Sequence, residues 1–295
     1  EAERYLEEKR QKLMDEWGID PVPDEELPPK ETLGFRVQRY GMLKWGDLFN
    51  SRQKLALITF TEEVRLAYQK MIEEGYDKEY AKAVVSYLGI TLDRIIFFVN
   101  SFAAWQINSE ATSPAMVRQA LGMIWDYIEI NPISDATGSY SSALEWIFRT
   151  IEHFSQTSSN PATVIQASAT ELPYPDSYFD AVFTDPPYYD NVPYSYLSDF
   201  FYVWLKRSIG DLYPELFMTP LTPKSKEIVA YSHQEGGFEA GKRYFEEMLK
   251  KAFKEIARVL KPDGIATIVY THKSTSGWEA LINSLLESGL VPTAS

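Results

Sequence analysis

The sequence predicts an α/β protein with a largely helical N-terminal region and a parallel sheet in its C-terminal part. Residues 181–184 and 265–270 are short apolar runs bounded by charged residues, proline or glycine, as buried strands are. Residues 239–260, which lie between them, have the spaced apolar positions of an amphipathic helix. A helix between two such strands favours parallel pairing through a right-handed crossover.

Shifts in composition divide the chain into three regions. Residues 1–31 combine a charged helix, predicted to end at Gly18, with an extended linker that contains four prolines. Residues 32–160 are predicted to form a mostly helical insertion or accessory region, with a strand or two at 33–45. Residues 161–295 are predicted to form the α/β region, in which we expect the chemistry to lie.

Helix signals recur along the chain. Asn50 or Ser51 is a suitable N-cap for one helix, and Asp77 begins another. The predicted helices cover about residues 50–74, 77–105, 113–127, 141–154, 195–207, 239–260 and 276–287. The aromatic residues of the helix at 195–207 are interpreted mainly as core, and the last residues, 290–295, as the start of a strand.

A third apolar run, residues 163–167, is also predicted to be a strand. We expect it to neighbour the strands at 181–184 and 265–270, in a parallel sheet covered on both faces. Asp185 then lies at the carboxyl end of a strand, where open α/β sheets bind their ligands. Pro186 and Pro187 end that strand, because proline fixes φ and has no N–H to donate.

The tetrad Asp185-Pro186-Pro187-Tyr188 resembles the catalytic motif of S-adenosylmethionine (SAM) dependent methyltransferases that act on exocyclic amines of nucleobases. Such an amine is a poor nucleophile, because its lone pair is delocalised into the ring. A carboxylate and a rigid backbone carbonyl can accept its hydrogens and turn the lone pair toward the methyl group. An aromatic side chain can stack on a base taken out of its duplex. The alternative interpretation is a strand that merely ends in a proline turn.

The surrounding sequence extends the resemblance to class I methyltransferases. Residues 163–180 are similar to the passage that leads into their catalytic strand, and residues 257–264 to a recurrent turn before a later strand. Residues 185–207 resemble the adenine-specific DNA methylases, a family of longer proteins that often carry a zinc ribbon. The likeness runs from about residue 33 to the C-terminus and is most specific over 168–207. It implies a partial Rossmann-like class I SAM-dependent methyltransferase fold.

The resemblance also implies roles for individual residues. Many family members have Asp or Asn at the position of Ser168, so the hydrogen bond expected from this residue to the cofactor adenine is not assured. The catalytic residues would be Asp185, Pro186, Pro187 and Tyr188; the cofactor-binding residues Ser168, Ala169, Thr170 and Thr184; and the substrate-binding residues Tyr189, Asn191 and Tyr194.

Charge and composition restrict the partners of the chain. The net charge is −13, which is a poor signature for a protein that binds duplex DNA. Five cations near the proposed cleft in sequence could form a local basic patch or a solvated surface: Lys206, Arg207, Lys224, Lys226 and Lys273. There is no cysteine, and the three histidines lack metal-ligand spacing, so no metal site is predicted. We expect no membrane association, because no apolar run could span a bilayer, and a cytoplasmic location is compatible with this composition.

One expected motif is missing. SAM enzymes of this group hold the methionine end of the cofactor with a glycine-rich turn after their first strand, and the glycine cluster at 236–241 does not follow a strand. We therefore expect the chain to be a fragment whose partner is the remainder of its parent polypeptide. A permuted or degenerate cofactor site is the alternative.

The function implied is transfer of a methyl group from SAM to the exocyclic amine of adenine in DNA. RNA bases or a protein amide are alternative substrates, and Asp rather than Asn at position 185 favours nucleobases. The other alternative is a non-catalytic module that contributes structure or DNA contacts to a larger methylase. The missing turn favours that alternative for the isolated chain, which can be inactive on its own.

Overall fold

The computed structural model describes residues 1–30, 32–157, 160–231 and 236–293. The protein is mixed α/β and divides into two compact units. The first unit comprises residues 1–160 and 195–223, and the second comprises residues 161–194 and 224–295. One boundary between the units falls at residue 160, and residues 195–223 belong to the helical unit.

Helices dominate the first unit. In the described residues they are α1 (Ala2–Trp17), α2 (Ser51–Glu73), α3 (Lys78–Ile96), α4 (Tyr140–Ser155) and α5 (Tyr194–Ile209), and the first residue of α5 belongs to the second unit. The predicted stop of α1 is confirmed, since Gly18 has a left-handed φ of 70° and donates its N–H to Met14 O at 3.0 Å. The predicted N-caps Asn50 and Asp77 are confirmed as well.

Hydrogen bonds of the Asn100 side chain overrule the prediction of a helix to residue 105. The helix α3 ends at Ile96, because the Asn100 side chain donates to the carbonyl oxygens of Ile96 at 2.8 Å and Phe97 at 3.0 Å. The same side chain accepts the N–H of Phe102 at 2.8 Å and so fixes a turn. A short antiparallel pair follows, β1 (Ala104–Gln106) with β2 (Ala111–Ser113).

Two other predictions for the first unit are wrong. The helix predicted at 113–127 is replaced by turns, and Met116 and Gln119 have left-handed φ values of 57° and 49° that a helix does not tolerate. The strands predicted at 33–45 are replaced by two short 3₁₀ helices, Val37–Tyr40 and Trp45–Leu48. The two stretches are joined by backbone hydrogen bonds, since Leu121 donates its N–H to Gly34 O at 2.9 Å and Arg36 donates to Leu121 O at 3.2 Å.

The proline-rich stretch at residues 19–30 contains no helix and no strand, but it is packed and is not a free linker. Val22 and Leu27 are buried, and Leu27 donates its N–H to Leu43 O at 2.8 Å. The guanidinium of Arg207 from α5 binds the carbonyl oxygen of Asp20 at 2.7 Å. Proline prevents regular structure here, and the carbonyl groups of the stretch are satisfied by side chains and by backbone N–H groups of neighbouring segments.

The core of the first unit confirms the interpretation of the aromatic helix. Phe200 and Trp204 of α5 are fully buried. Phe49 lies with its ring centroid 5.3 Å from Trp204 and 6.0 Å from Phe200, and Trp45 lies 6.2 Å from Phe200. These rings bury large apolar areas and so hold α5 against the segment before α2.

A first prediction concerns the start of α2. Asn50 accepts the N–H of Gln53 at 3.0 Å, and Gln53 accepts the N–H of Asn50 at 2.9 Å, which is a reciprocal capping box. We expect Asn50→Ala to lower the free energy of unfolding by about 1 kcal/mol, because backbone donors of the first turn lose their acceptor. Chemical denaturation measures this loss. The control Gln69→Ala, at an exposed position of the same helix, should change the free energy by less than about 0.5 kcal/mol.

The second unit contains the predicted parallel strands. In it β3 (Phe179–Thr184) pairs in parallel with β4 (Leu260–Ile268), and the register joins Ala181 to Ile265. The helices α6 (Gly237–Val259) and α7 (Thr275–Leu286) precede and follow β4. The parallel pairing is thus confirmed for two of the three predicted strands.

The third predicted strand is wrong. Residues 163–167 form no strand, and Val164 is 89% exposed. A strand needs a neighbouring strand to accept and donate its backbone hydrogen bonds, and no described strand pairs with this segment. At the end of the chain, residues 290–293 also form no strand, and residues 294–295 of that prediction lie outside the described residues.

The sheet is covered on one face. Val182, Ala266 and Ile268 pack against a core formed by α6 and α7, which includes Phe245 and Phe253. The opposite face is open in the second unit as described, where Phe183 is 74% and Ile265 is 70% exposed. The predicted cover on both faces is therefore not present in the described residues.

The segment before β3 is fixed by one arginine of α6. Arg258 donates to the carbonyl oxygens of Tyr174 at 2.8 Å and Leu172 at 3.0 Å. It also binds Asp176 Oδ1 at 2.8 Å and Glu255 Oε2 at 2.8 Å. The bond from Arg258, together with the N–H that Leu172 donates to Glu255 Oε2 at 2.9 Å, holds the pKa of Glu255 down at about 2. The chain is thereby directed into β3 from a defined position beside α6.

No helix in the described parts of the chain is both long enough and apolar enough to cross a bilayer.

Candidate active site

Asp185 directly follows β3, as predicted. The backbone stays attached to β4 up to this point, since Val269 donates its N–H to Thr184 O at 2.9 Å. Asp185 is exposed, whereas Pro186 is buried and Pro187 half-buried. The carboxylate therefore lies at the carboxyl end of a parallel strand, on a backbone that two prolines make rigid.

The residues after the prolines form a tight turn. Tyr189 donates its N–H to Pro187 O at 3.1 Å, and Asn191 donates to Tyr188 O at 2.9 Å. Tyr189 has a left-handed φ of 49°, a conformation that costs a residue other than glycine on the order of 1–3 kcal/mol. Its backbone oxygen accepts the N–H of Ala230 at 3.0 Å. The surrounding structure must therefore hold this turn in place.

Two phenol groups flank the carboxylate. The Tyr188 hydroxyl is hydrogen-bonded to Asp185, and this bond raises the pKa of Tyr188 above its ordinary value. The Tyr194 hydroxyl accepts the N–H of Tyr188 at 3.4 Å. Burial raises the pKa of Tyr194, and the Asp185 carboxylate adds to that effect. Both phenols are therefore neutral, and the carboxylate has a hydrogen-bond donor within reach.

The Tyr188 ring is half-buried at the end of the sheet. It meets Tyr270, which follows β4, edge to face at a centroid distance of 5.6 Å. Burial raises the pKa of Tyr270 to about 12. Tyr270 in turn meets Trp278 of α7 at 5.4 Å. One side of Tyr188 is thus supported by a column of aromatic rings.

The Tyr189 ring lies in the core of the second unit. It is 2% exposed and meets Phe245 of α6 at 5.1 Å and His272 at 5.5 Å, both edge to face. A side chain in this position holds the turn and does not form the wall of a pocket. The roles predicted for Asn191 and Tyr194, which are half-buried and exposed, stay predictions.

The residues predicted to bind the cofactor fall into two places. Thr184 adjoins Asp185, whereas Ser168, Ala169 and Thr170 form an exposed to half-exposed turn before β3. The hydroxyl groups of Ser168 and Thr170 bind each other at 2.8 Å, and Thr170 donates its N–H to Ser168 Oγ at 3.2 Å. The described hydrogen bonds of this turn remain within it.

These residues fit SAM only in part. The 168–170 turn offers backbone and hydroxyl groups of the kind that bind an adenine edge. The charged methionine end needs a set of backbone donors, such as a glycine-rich turn supplies. No described glycine lies in a loop after β3 or β4 with that arrangement. Gly236 and Gly237 instead begin α6, as predicted.

One of the five cations of the predicted basic patch, Arg207, is buried. Arg207 is 2% exposed and holds the 19–30 segment inside the first unit. Lys206 donates to Thr219 O at 2.8 Å. Lys226 and Lys273, in the second unit, are exposed. A buried arginine cannot contact a phosphate group, so Arg207 does not contribute to a basic patch.

Sequence reasoning missed a polar cluster beside the turn. His272 Nε2 lies 3.1 Å from Asp190 Oδ1, and His272 Nδ1 lies 2.9 Å from Ser274 Oγ. His272 follows the end of β4 as Asp185 follows the end of β3. Polar residues at the carboxyl ends of adjacent parallel strands lie close together, and this signal could have indicated His272.

A second prediction tests the space around His272. Gly277, in the first turn of α7, faces the imidazole ring so closely that a Cβ at this position would overlap Nδ1 and Cγ. Helix propensity alone predicts that Gly277→Ala stabilises the protein by about 1 kcal/mol. We expect the opposite sign, a loss of about 1–3 kcal/mol, because the buried ring must move.

Thermal denaturation of Gly277→Ala decides between the two signs. Gly122→Ala is the control, since a Cβ there meets open space and Gly122 does not have a left-handed φ. A more stable Gly277→Ala protein would contradict the close packing of His272 on α7.

Comparison of the chain with protein-family models, with curated proteins and with solved structures gives no match in any of the three.

Proposed function

We propose that the second unit is the amine-binding part of a SAM-dependent methyltransferase that acts on the exocyclic amine of adenine in DNA. One observation carries the proposal. The Asp185 carboxylate lies exposed at the carboxyl end of β3, on a rigid proline turn and beside the phenol groups of Tyr188 and Tyr194. This is where a sheet of parallel strands binds its ligands.

In this proposal SAM supplies an electrophilic methyl group on a sulfonium. Asp185 would accept a hydrogen bond from one amine hydrogen, and the carbonyl oxygen of Pro186 would accept one from the other. As the nitrogen takes the methyl group and the sulfonium becomes a neutral thioether, the nitrogen would release one proton by way of the Asp185 carboxylate. The Pro186 carbonyl belongs to rigid backbone and the Asp185 carboxylate is carried on the residue before it, so both acceptors lie close to the amine when the nitrogen loses its planarity. Asp185 exchanges its bond from the Tyr188 hydroxyl for one from the amine, and this leaves Tyr188 free to contact the base with its ring.

The cofactor would be held partly by this chain. We assign the adenine end to the turn of Ser168, Ala169 and Thr170, with Thr184 at the end of β3. The methionine end requires a donor-rich turn that we assign to the remainder of the parent polypeptide. This division follows from the partial fit of the described residues to SAM.

The choice of DNA as the substrate rests on the resemblance of the motif. The net charge of −13 opposes binding of a duplex through this chain alone, because affinity for DNA comes largely from contacts to phosphate groups. We therefore assign base recognition to Asn191, Tyr194 and Tyr188, and phosphate contacts to other parts of the parent protein. RNA bases and protein amides are the alternative substrates of the same site.

A second candidate function is a non-catalytic module of a larger methylase. The open apolar face of the β3–β4 pair favours it, since parallel sheets are normally covered on both faces. A module of this kind would pack against other parts of the larger methylase and would take no part in a reaction.

Transfer of labelled methyl groups separates the two candidates. The chain, alone and within its longest natural reading frame, is incubated with methyl-labelled SAM and a DNA duplex that contains adenine. We expect labelled N6-methyladenine from the longer protein. An RNA of the same sequence and an asparagine- and glutamine-containing peptide test the alternative substrates. Absence of both transfer and SAM binding in the longer protein would leave the non-catalytic module.

A further inference from the structure

We infer that His272 is a positioning residue for the turn that carries Asp185 and Tyr188, an inference that rests on the proposed function. His272 lies in the segment between β4 and α7, and its side chain is 1% exposed. Its Nε2 lies 3.1 Å from Oδ1 of Asp190, which belongs to the turn after the prolines. One hydrogen bond therefore links the ends of the two strands through side chains.

The tautomer of His272 follows from its neighbours. Ser274 donates its backbone N–H to Nδ1 at 3.1 Å. A backbone N–H can only donate, so Nδ1 is an acceptor and the proton of the neutral ring is on Nε2. His272 Nε2–H then donates to the Asp190 carboxylate, and both ring nitrogens are satisfied. The ring is fixed in orientation as well as in place.

The first turn of α7 forms the space in which the imidazole ring lies. Gly277 leaves the space that the imidazole occupies. Ser274 accepts the N–H of Gly277 through Oγ at 3.4 Å, as an N-cap does. Tyr270 donates its hydroxyl to Gly277 O at 3.2 Å, and Trp278 donates Nε1–H to His272 O at 3.0 Å. These contacts hold the histidine from several sides, in addition to its bond to Asp190.

The turn requires such support. Tyr189, between Tyr188 and Asp190, has a left-handed φ of 49°, which an isolated chain would relax. Its ring lies against the His272 ring at 5.5 Å, and Asp190 is bonded to the same ring. His272 thereby holds two successive residues of the turn. Release of the turn would move Tyr188, which is bonded to Asp185.

A nucleophilic Ser-His-Asp site does not explain the cluster. The Oγ of Ser274 is engaged as the helix cap and binds Ser276 Oγ at 2.9 Å. The imidazole is buried at 1% exposure, so it cannot reach a substrate. His272 touches the turn and no reacting atom, which makes its role one of positioning.

Two replacements of His272 separate the hydrogen bond from the packing. His272→Phe keeps a ring and removes the donor, whereas His272→Gln restores a donor near the position of Nε2. We expect amide hydrogen exchange of Asn191 and Ala230, which bond to the turn, to rise about tenfold in His272→Phe and to return within about threefold in His272→Gln. Asp190→Ala removes the acceptor of the same hydrogen bond and should raise exchange at the same two amides. This variant tests the inference if His272→Phe does not fold.

The kinetic readout uses the longer protein. We expect kcat for methyl transfer to fall about tenfold in His272→Phe, with KM for SAM within about twofold of the wild type, because the turn orients the amine and not the cofactor. Glu279→Gln, at an exposed position of α7, is the control and should leave exchange and kinetics unchanged.

The two hypotheses fail in different ways. Unchanged exchange in both His272→Phe and Asp190→Ala overturns the positioning role, whatever the activity. Equal acceleration in His272→Phe and His272→Gln also overturns it, since packing would then matter and the hydrogen bond would not. Faster exchange in His272→Phe, rescued in His272→Gln, in a protein without methyl transfer supports the positioning of the turn and refutes the proposed function.

Discussion

Asp185→Ala is expected to lower methyl transfer about a hundred- to a thousandfold, the cost of about 3–4 kcal/mol for one preorganised acceptor in an active site. The carboxylate would bind the amine most strongly as the nitrogen loses its planarity, so the loss should fall on kcat. Binding of SAM should change little, because Asp185 lies at the end of β3 and belongs to the amine side of the proposed site. Labelled-methyl transfer and titration with SAM, both on the longer protein, measure the two effects.

Two further variants serve as comparisons in this experiment. Asp263→Ala removes an exposed carboxylate from β4, and it should leave turnover unchanged. Tyr188→Phe removes the hydroxyl bonded to Asp185 but keeps the ring, so its effect should be much milder than that of Asp185→Ala. Near-normal turnover in Asp185→Ala would show that the tetrad is only a strand that ends in a proline turn.

The strongest sequence signals predicted the right elements. The apolar run at 181–184 became β3, and the run at 265–270 overlaps β4, which extends from Leu260 to Ile268. Polar caps placed the starts of α2 and α3, because a side-chain acceptor for the first N–H groups is a local requirement. Such features depend on a few neighbouring residues, and the sequence contains them directly.

The errors arise where one side chain or a distant contact decides the conformation. The apolar run at 95–99 continues the pattern of α3, but the Asn100 side chain takes the last carbonyl groups and turns the chain. Residues 163–167 have the composition of a strand, but a strand also needs a neighbour, and composition does not provide one. The 19–30 segment has the composition of a linker, although Arg207, far away in sequence, fixes it.

The candidate site also combines residues that are neighbours in sequence with residues that only the fold brings together. The path from Thr184 to Tyr194 is contiguous in sequence, so its residues could be assigned together. The bond between Asp190 and His272 depends on the pairing of β3 with β4, which brings distant residues to the same end of the sheet. The burial of Tyr189 depends on the packing of α6 and could not be derived from its place beside the tetrad.

Arg207→Met is expected to cause the largest loss of stability in the first unit. The guanidinium is 2% exposed and donates to Glu25 Oε1 at 3.0 Å, and to the carbonyl oxygens of Asp20 at 2.7 Å and Val203 at 2.8 Å. Methionine fills much of the same volume but donates no hydrogen bond. The half-buried Glu25 carboxylate and the Asp20 carbonyl group would lose this donor, at a cost of about 3–5 kcal/mol in the free energy of unfolding.

Arg149→Met is the matched control for this loss. Arg149 and Glu145 form an exposed pair one turn apart on α4, with a separation of 2.8 Å between Nε and Oε1. Such pairs contribute about 0.3–0.5 kcal/mol, because water screens both charges. Urea denaturation of the two variants measures the difference. A loss in Arg207→Met no larger than that in Arg149→Met would mean that the 19–30 segment needs no support from α5, and that it is the free linker its composition suggests.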